Sequence, residues 1–111
     1  MSAPAAYRDL IERILTEETR VPVSYGEVAL YTVFDRAQDH DVLMAVGWNG
    51  RPRVHAPLLH VDIIDGKLWV QHDGTERGIA RDLEAGGVPK DRIVLAFQHI
   101  SRRQFGDYAA A

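Results

Sequence analysis

The chain has no cysteine, which excludes disulfides, thiol nucleophiles and thiolate metal sites. It also has no long apolar run. Each strongly hydrophobic stretch meets a charged or turn residue within a few positions, too soon to span a bilayer. A basic excess is missing as well: thirteen Lys and Arg stand against sixteen Asp and Glu, a formal net charge of −3. Nucleic-acid binding driven by counterion release needs clustered cations, usually as a patch or stripe. The one local grouping is Arg102-Arg103, with Lys90 and Arg92 upstream, so tight direct DNA binding is not expected. Residues Met1 to Ala6 show no basic start followed by an apolar core. They read as a short disordered lead-in rather than a secretory leader, and the cytoplasm is the expected compartment.

What is present fits one domain. With 111 residues, 46% hydrophobic and 26% charged, the chain has room for a single core. That domain is expected over residues 7–108, with 109–111 as a tail. Tyr7, Leu10, Ile11, Ile14 and Leu15 fall on one side of a 3.6-residue spiral, opposite Arg8, Asp9, Glu12, Arg13 and Glu17. This predicts an amphipathic helix over 5–18 that stops before Pro22. Val21 to Gly26 then reads as a connector with a turn at Gly26.

Alternation and β-branched or aromatic content predict strands over 27–34, 40–48 and 53–64. Asn49-Gly50 reads as a hairpin turn, and Pro57 marks a bulge or an edge position because it lacks a ladder donor. Asp65-Gly66 is a second hairpin signal and predicts a register. With a type I′ turn, Ile64 pairs with Lys67, Ile63 with Leu68, Asp62 with Trp69, Val61 with Val70, His60 with Gln71 and Leu59 with His72. One surface of this hairpin is then oily, whereas the other carries His60, Asp62, Gln71 and Trp69. Further on, Thr75 reads as the N-cap of a helix with Glu76 in its first turn and Ile79, Ala80 and Leu83 buried. Gly86-Gly87 ends that helix. Residues 92–98 read as a last strand buried on both sides, and Phe105 and Tyr108 as anchors for a short final turn. The order predicts an α+β fold: N-terminal helix, antiparallel sheet built from hairpins, second helix and final strand.

The segments Leu59-His60-Val61-Asp62-Ile63, Gly66-Lys67-Leu68-Trp69-Val70-Gln71-His72-Asp73-Gly74-Thr75-Glu76-Arg77-Gly78-Ile79-Ala80 and Gly87-Val88-Pro89-Lys90-Asp91-Arg92-Ile93-Val94-Leu95-Ala96-Phe97 resemble, in order and spacing, the XisI family. Tyr25-Gly26 and Val46-Gly47-Trp48 fit the same pattern, so the resemblance runs from about Tyr7 to Tyr108. Ala96 stands where the family pattern suggests glycine, and the tail matches loosely. The resemblance implies a role in controlling excision of a DNA element by a site-specific recombinase, as for the fdxN element of cyanobacteria. It also implies an adjacent-gene partner, XisH, that looks like a nuclease-fold protein. No reaction is assigned to the family.

The residues themselves carry no compact catalytic motif. His60 and Asp62, two apart on a strand, share a face with Gln71 and Trp69 across from them. A metal reading would need His40, His55 or His72 to join; an interface or a hydrogen-bonded structural pair is the preferred reading. His72 is expected to hydrogen-bond near the start of the second helix. Thr75-Glu76 is explained by capping. Gly74 and Gly78 do not form a phosphate loop, and neither Ser24 nor Ser101 sits in a nucleophile elbow. Trp48 and Trp69 read either as interface anchors or as indoles packed under a loop or the tail.

The expectation is therefore a non-enzymatic accessory factor that binds a XisH-like protein and controls DNA excision. No catalytic residue, metal or cofactor is assigned, and the candidate interface is His60, Asp62, Trp69, Gln71 and Trp48. The partners expected are the XisH-like protein, with a site-specific recombinase complex and self-association left open, and no membrane contact. The alternative is a small metal-dependent hydrolase that uses the His/Asp face of the central hairpin.

Overall fold

The structure, a computed structural model, describes residues 3–23 and 26–111; Ser24 and Tyr25 lie outside them. Helix α1 (Ala3–Glu18) leads into four strands, β1 (Glu27–Asp35), β2 (His40–Trp48), β3 (Arg53–Ile64) and β4 (Lys67–Asp73). Helix α2 (Ile79–Ala85), strand β5 (Ile93–Leu95) and a last helical turn, α3 (Ile100–Arg103), complete the α+β fold. α1 begins two residues before the expected start, so residues 3–6 of the expected lead-in belong to it. Among the described residues no helix is long and apolar enough to cross a membrane.

The sheet has the order β1-β2-β3-β4-β5. Its first four strands pair antiparallel, as successive hairpins must, and β5 adds parallel to β4. That parallel step needs a crossover, which α2 supplies. Asp65 (φ 51°) and Gly66 (φ 75°) both adopt left-handed backbone, as a type I′ turn requires, and Ile64 faces Lys67 as predicted. Gly47 is needed for a different reason. A Cβ there would meet the Glu27 carbonyl oxygen at 2.0 Å, so only glycine lets β1 approach β2 this closely.

Both longer helices lie on one face of the sheet. Leu10, Ile11, Ile14 and Leu15 of α1, and Ile79 and Leu83 of α2, bury against Leu43, Leu59, Val61, Ile63, Leu68, Val70 and Ile93. The two stripes read from the sequence thus share one core, and apolar burial is its main stabilising contribution. α2 ends in a Schellman motif. Gly87 N–H donates to the Glu84 carbonyl and Val88 N–H to the Leu83 carbonyl, both at 3.0 Å, with Gly87 left-handed (φ 101°) and Val88 buried against the core. α1 is also tied to the β1–β2 loop by charge. Arg36 forks onto both oxygens of Glu12 at 2.8 and 2.7 Å, and Arg8 donates twice to Asp39 Oδ1 at 2.8 and 2.6 Å.

The bulge or edge position expected at Pro57 is found. β3 runs unbroken past Pro57, with the pairing to β2 shifting where Leu43 faces Leu59 and Met44 faces Pro57, so Leu58 is an extra, bulged residue. Pro57 lies beyond the end of β4, on a locally open edge where its missing donor is tolerated. In the β3–β4 ladder the predicted register holds only to Val61–Val70; His60 then pairs with His72 and Leu59 with Asp73. Gln71 is the extra residue there. Thr75, contrary to expectation, is not the cap of α2, which starts only at Ile79. Asp73 does that work: its Oδ2 accepts from Ile79 N–H at 2.7 Å and its Oδ1 from Thr75 N–H at 2.9 Å. Glu76 is left exposed before the helix. The last strand also departs from expectation: it is three residues long rather than spanning 92–98. Ile93 and Val94 are fully buried, but the chain turns at Ala96 and Phe97 is 49% exposed.

The tail folds back over this end. Ala109 bridges to Val94, and Ala109 N–H donates to the Ile93 carbonyl at 2.9 Å. Tyr108 packs on the core, and its hydroxyl donates to Glu84 at 2.7 Å. That bond, with burial second, pushes the Tyr108 pKa up to about 12. Phe105, expected as the other anchor, is 84% exposed.

Candidate functional site

The helices leave the opposite, outer face of the sheet uncovered over β1, β2 and β3. On it the period of two sets His40, Val42, Met44, Val46 and Trp48 of β2 beside His60 and Asp62 of β3. His40 faces Asp62 directly across the ladder, and Asp62 faces Trp69 on its other side. The strands therefore deliver three polar side chains to one carboxylate. His40 Nδ1 lies 2.7 Å and His60 Nε2 2.8 Å from the same Asp62 oxygen, Oδ1. Gln71 Nε2 donates to the other, Oδ2, at 3.1 Å. The bulge at Gln71 accompanies this contact, and it also carries Asp73 to the position from which it caps α2.

Asp62 is only 6% exposed. A buried carboxylate needs hydrogen-bonding partners, and this one has three. His40 is its most accessible partner, and its pKa is raised first by the hydrogen bond to Asp62 and then by the attraction of that carboxylate. His40 and His60 meet edge to face, their planes at 78°.

The predicted site residues are thus brought together in part. His60, Asp62 and Gln71 form one cluster, and His40, named in the sequence only as a ligand that could join, completes it. Trp69 shares the face, but the chain's own C-terminal segment covers it. The Arg103 guanidinium lies 5.6 Å from the Trp69 ring centroid and is held by the Gln98 and Ala96 carbonyls at 2.9 and 3.2 Å. Trp48 sits apart, 51% exposed, with Arg53 4.9 Å above its ring. His55 faces Val46 on an exposed stretch away from the cluster. His72 is exposed opposite His60 instead of bonding near α2; Asp73 holds that place. Ser101 lies in α3, where His99 Nδ1 accepts from its backbone N–H at 3.2 Å.

One residue escaped sequence reading. Asp41, beside His40, points to the helix-covered face and is 1% exposed. Neither of its oxygens has a hydrogen-bond partner among the described residues. Burial first, then the nearby charges of Glu12 and Asp39, push its pKa up to about 7. The available signal was its parity with Leu43 and Ala45.

Fold and site together define a small α+β domain with helices on one face of a mixed sheet and a hydrogen-bonded polar cluster on the other. The profile of the XisI protein family matches residues 1–110; the chain belongs to that family. Among solved structures it is similar to a XisI-like protein from Anabaena variabilis, at 36% identity and a TM-score of 0.88, covering 97% of this chain and 99% of that one. It is also similar to the fdxN element excision controlling factor XisI from Anabaena variabilis, at 28% identity and a TM-score of 0.85, covering 99% and 100%. No curated protein matches the sequence.

Proposed function

We propose that this protein is a non-enzymatic accessory factor that controls site-specific excision of a DNA element by binding a XisH-like, nuclease-fold partner in the cytoplasm. The observation that carries this reading is the end-to-end likeness to the fdxN element excision controlling factor, a TM-score of 0.85 over 99% of this chain. The net charge of −3 supports action through a protein rather than by gripping phosphates directly. On the uncovered sheet face, exposed Tyr31, Val33 and Trp48 are the kind of aromatic and apolar groups that anchor protein interfaces.

Co-expression with a XisH-like protein encoded beside it, followed by affinity capture and size exclusion, tests the proposal. Stable co-elution is expected, together with weak, sequence-independent retardation of duplex DNA by the isolated chain. Tight, sequence-selective DNA binding without any partner, or failure to co-elute, would overturn it.

A further inference from the structure

We propose that His40, His60 and Asp62 form a binding site for a divalent transition-metal ion of the zinc class. Three donor atoms, His40 Nδ1, His60 Nε2 and one Asp62 carboxylate oxygen, lie within 4.8 Å of one another. A zinc ion bonded at about 2.0–2.1 Å to each would set its ligands about 3.3 Å apart in a tetrahedron. The two histidine–carboxylate separations here are 2.7 and 2.8 Å. Small side-chain rotations therefore suffice to admit the ion. The two N–H groups now aimed at Asp62 Oδ1 occupy the directions that metal bonds would take.

Three features make this more than a chance meeting of polar groups. The backbones carrying the donors are adjacent paired strands, with His40 directly opposite Asp62, so the Cβ positions are held by the ladder and only side-chain torsions remain to be fixed. Gln71 binds the Asp62 oxygen that the histidines leave free, the outer-shell contact that orients a ligating carboxylate. Access is graded: the Asp62 side chain is 9% exposed, that of His60 32% and that of His40 50%. An ion can thus enter beside His40 and meet an already positioned carboxylate. Two imidazoles and one carboxylate suit zinc, cobalt, nickel or iron(II), and not magnesium or calcium, which prefer all-oxygen sites. Three protein donors leave at least one coordination position for water. The inference rests on this geometry alone and stands or falls separately from the excision reading.

Cobalt(II) is the probe, because a low-symmetry nitrogen–oxygen site gives visible d–d absorption. Titrated into chelator-stripped, full-length protein, it should bind one ion per chain and develop that absorption, and zinc should displace it. His40→Gln and His60→Gln should each abolish the signal, whereas Gln71→Ala should weaken binding by about 10–100-fold. Circular dichroism checks that the variants are folded. Should one fail to fold, NMR of the wild-type imidazoles decides: zinc must shift His40 Nδ1 and His60 Nε2 and leave His55, His72 and His99 unmoved. Absence of bound cobalt in wild type, equal binding by the folded His40→Gln and His60→Gln variants, or shifts confined to other histidines would each overturn the assignment.

Discussion

Two aspartates, buried to similar depth on neighbouring strands, meet opposite fates. Asp62 (6% exposed) lies on the outer face and accepts from two imidazoles and an amide. Asp41 (1% exposed) lies on the inner face with no partner among the described residues. The partner of Asp41 across the ladder is Val61 and that of Asp62 is His40, so the two sites differ in what the sheet brings to them. At Asp62 the hydrogen-bond donors take the place of the lost hydration. At Asp41 burial first, and then the charges of Glu12 and Asp39, favour the protonated form and push the pKa up to about 7. Burial alone therefore says little about what a carboxylate does, and its neighbours decide.

The largest expected effect breaks the satisfied site. In chelator-treated protein, Asp62→Ala removes the shared acceptor of His40, His60 and Gln71. It should cost about 2–3 kcal/mol of stability at neutral pH, read from urea unfolding. An unchanged midpoint would mean that the cluster is not structural in the metal-free state.

Asp41→Asn should act in the other direction. The folded-state pKa of about 7 lies above the ordinary carboxylate value of 3.8, so the folded chain binds the proton more tightly. The stability this adds is fully present below the unfolded pKa and is lost as pH rises through about 7. The neutral amide escapes that loss. The variant should match wild type near the acid end of the window and exceed it by about 1–2 kcal/mol above the folded pKa. Parallel stability profiles for the two proteins across the window would show that Asp41 does not carry this linkage.

The smallest effect is expected at Trp48, and its contrast with Trp69, the other indole of the outer face, is the measure of it. Trp69, half-buried beneath Arg103, should cost about 2 kcal/mol when truncated to alanine. Trp48→Ala, at an exposed strand end, should stay within about 0.5 kcal/mol of wild type. Thermal melts of both variants give the ranking. If Trp48→Ala is the more damaging, the C-terminal segment does not protect Trp69.

Much of this was legible along the chain. The α1 stripe, the Asp65-Gly66 turn and the shared face of His60 and Asp62 follow from local spacing, because a helix period, a left-handed turn and a two-residue strand repeat act over a few residues. The bulge at Gln71 was not legible. It is accompanied by Gln71 reaching Asp62 and Asp73 reaching the first amide of α2, contacts that join separate elements. The inside of β2 was equally hidden. Asp41-Leu43-Ala45 and Val42-Met44-Val46 are both apolar enough to line a core, so alternation could not choose between them.

The amino-acid order by itself determined where α1 and the four antiparallel strands form, where the hairpins turn, and that one strand face of β3 would carry a histidine beside a carboxylate. Local sterics and hydrophobic periodicity are sufficient for all of that. Only the tertiary structure decided that His40 would complete the cluster, that Asp41 would be buried without a partner, and that Trp69 would lie under Arg103. Those outcomes depend on which strand sits beside which, in what register, and which face the helices cover. Pairing and packing set them across tens of residues, where neither spacing nor composition reaches.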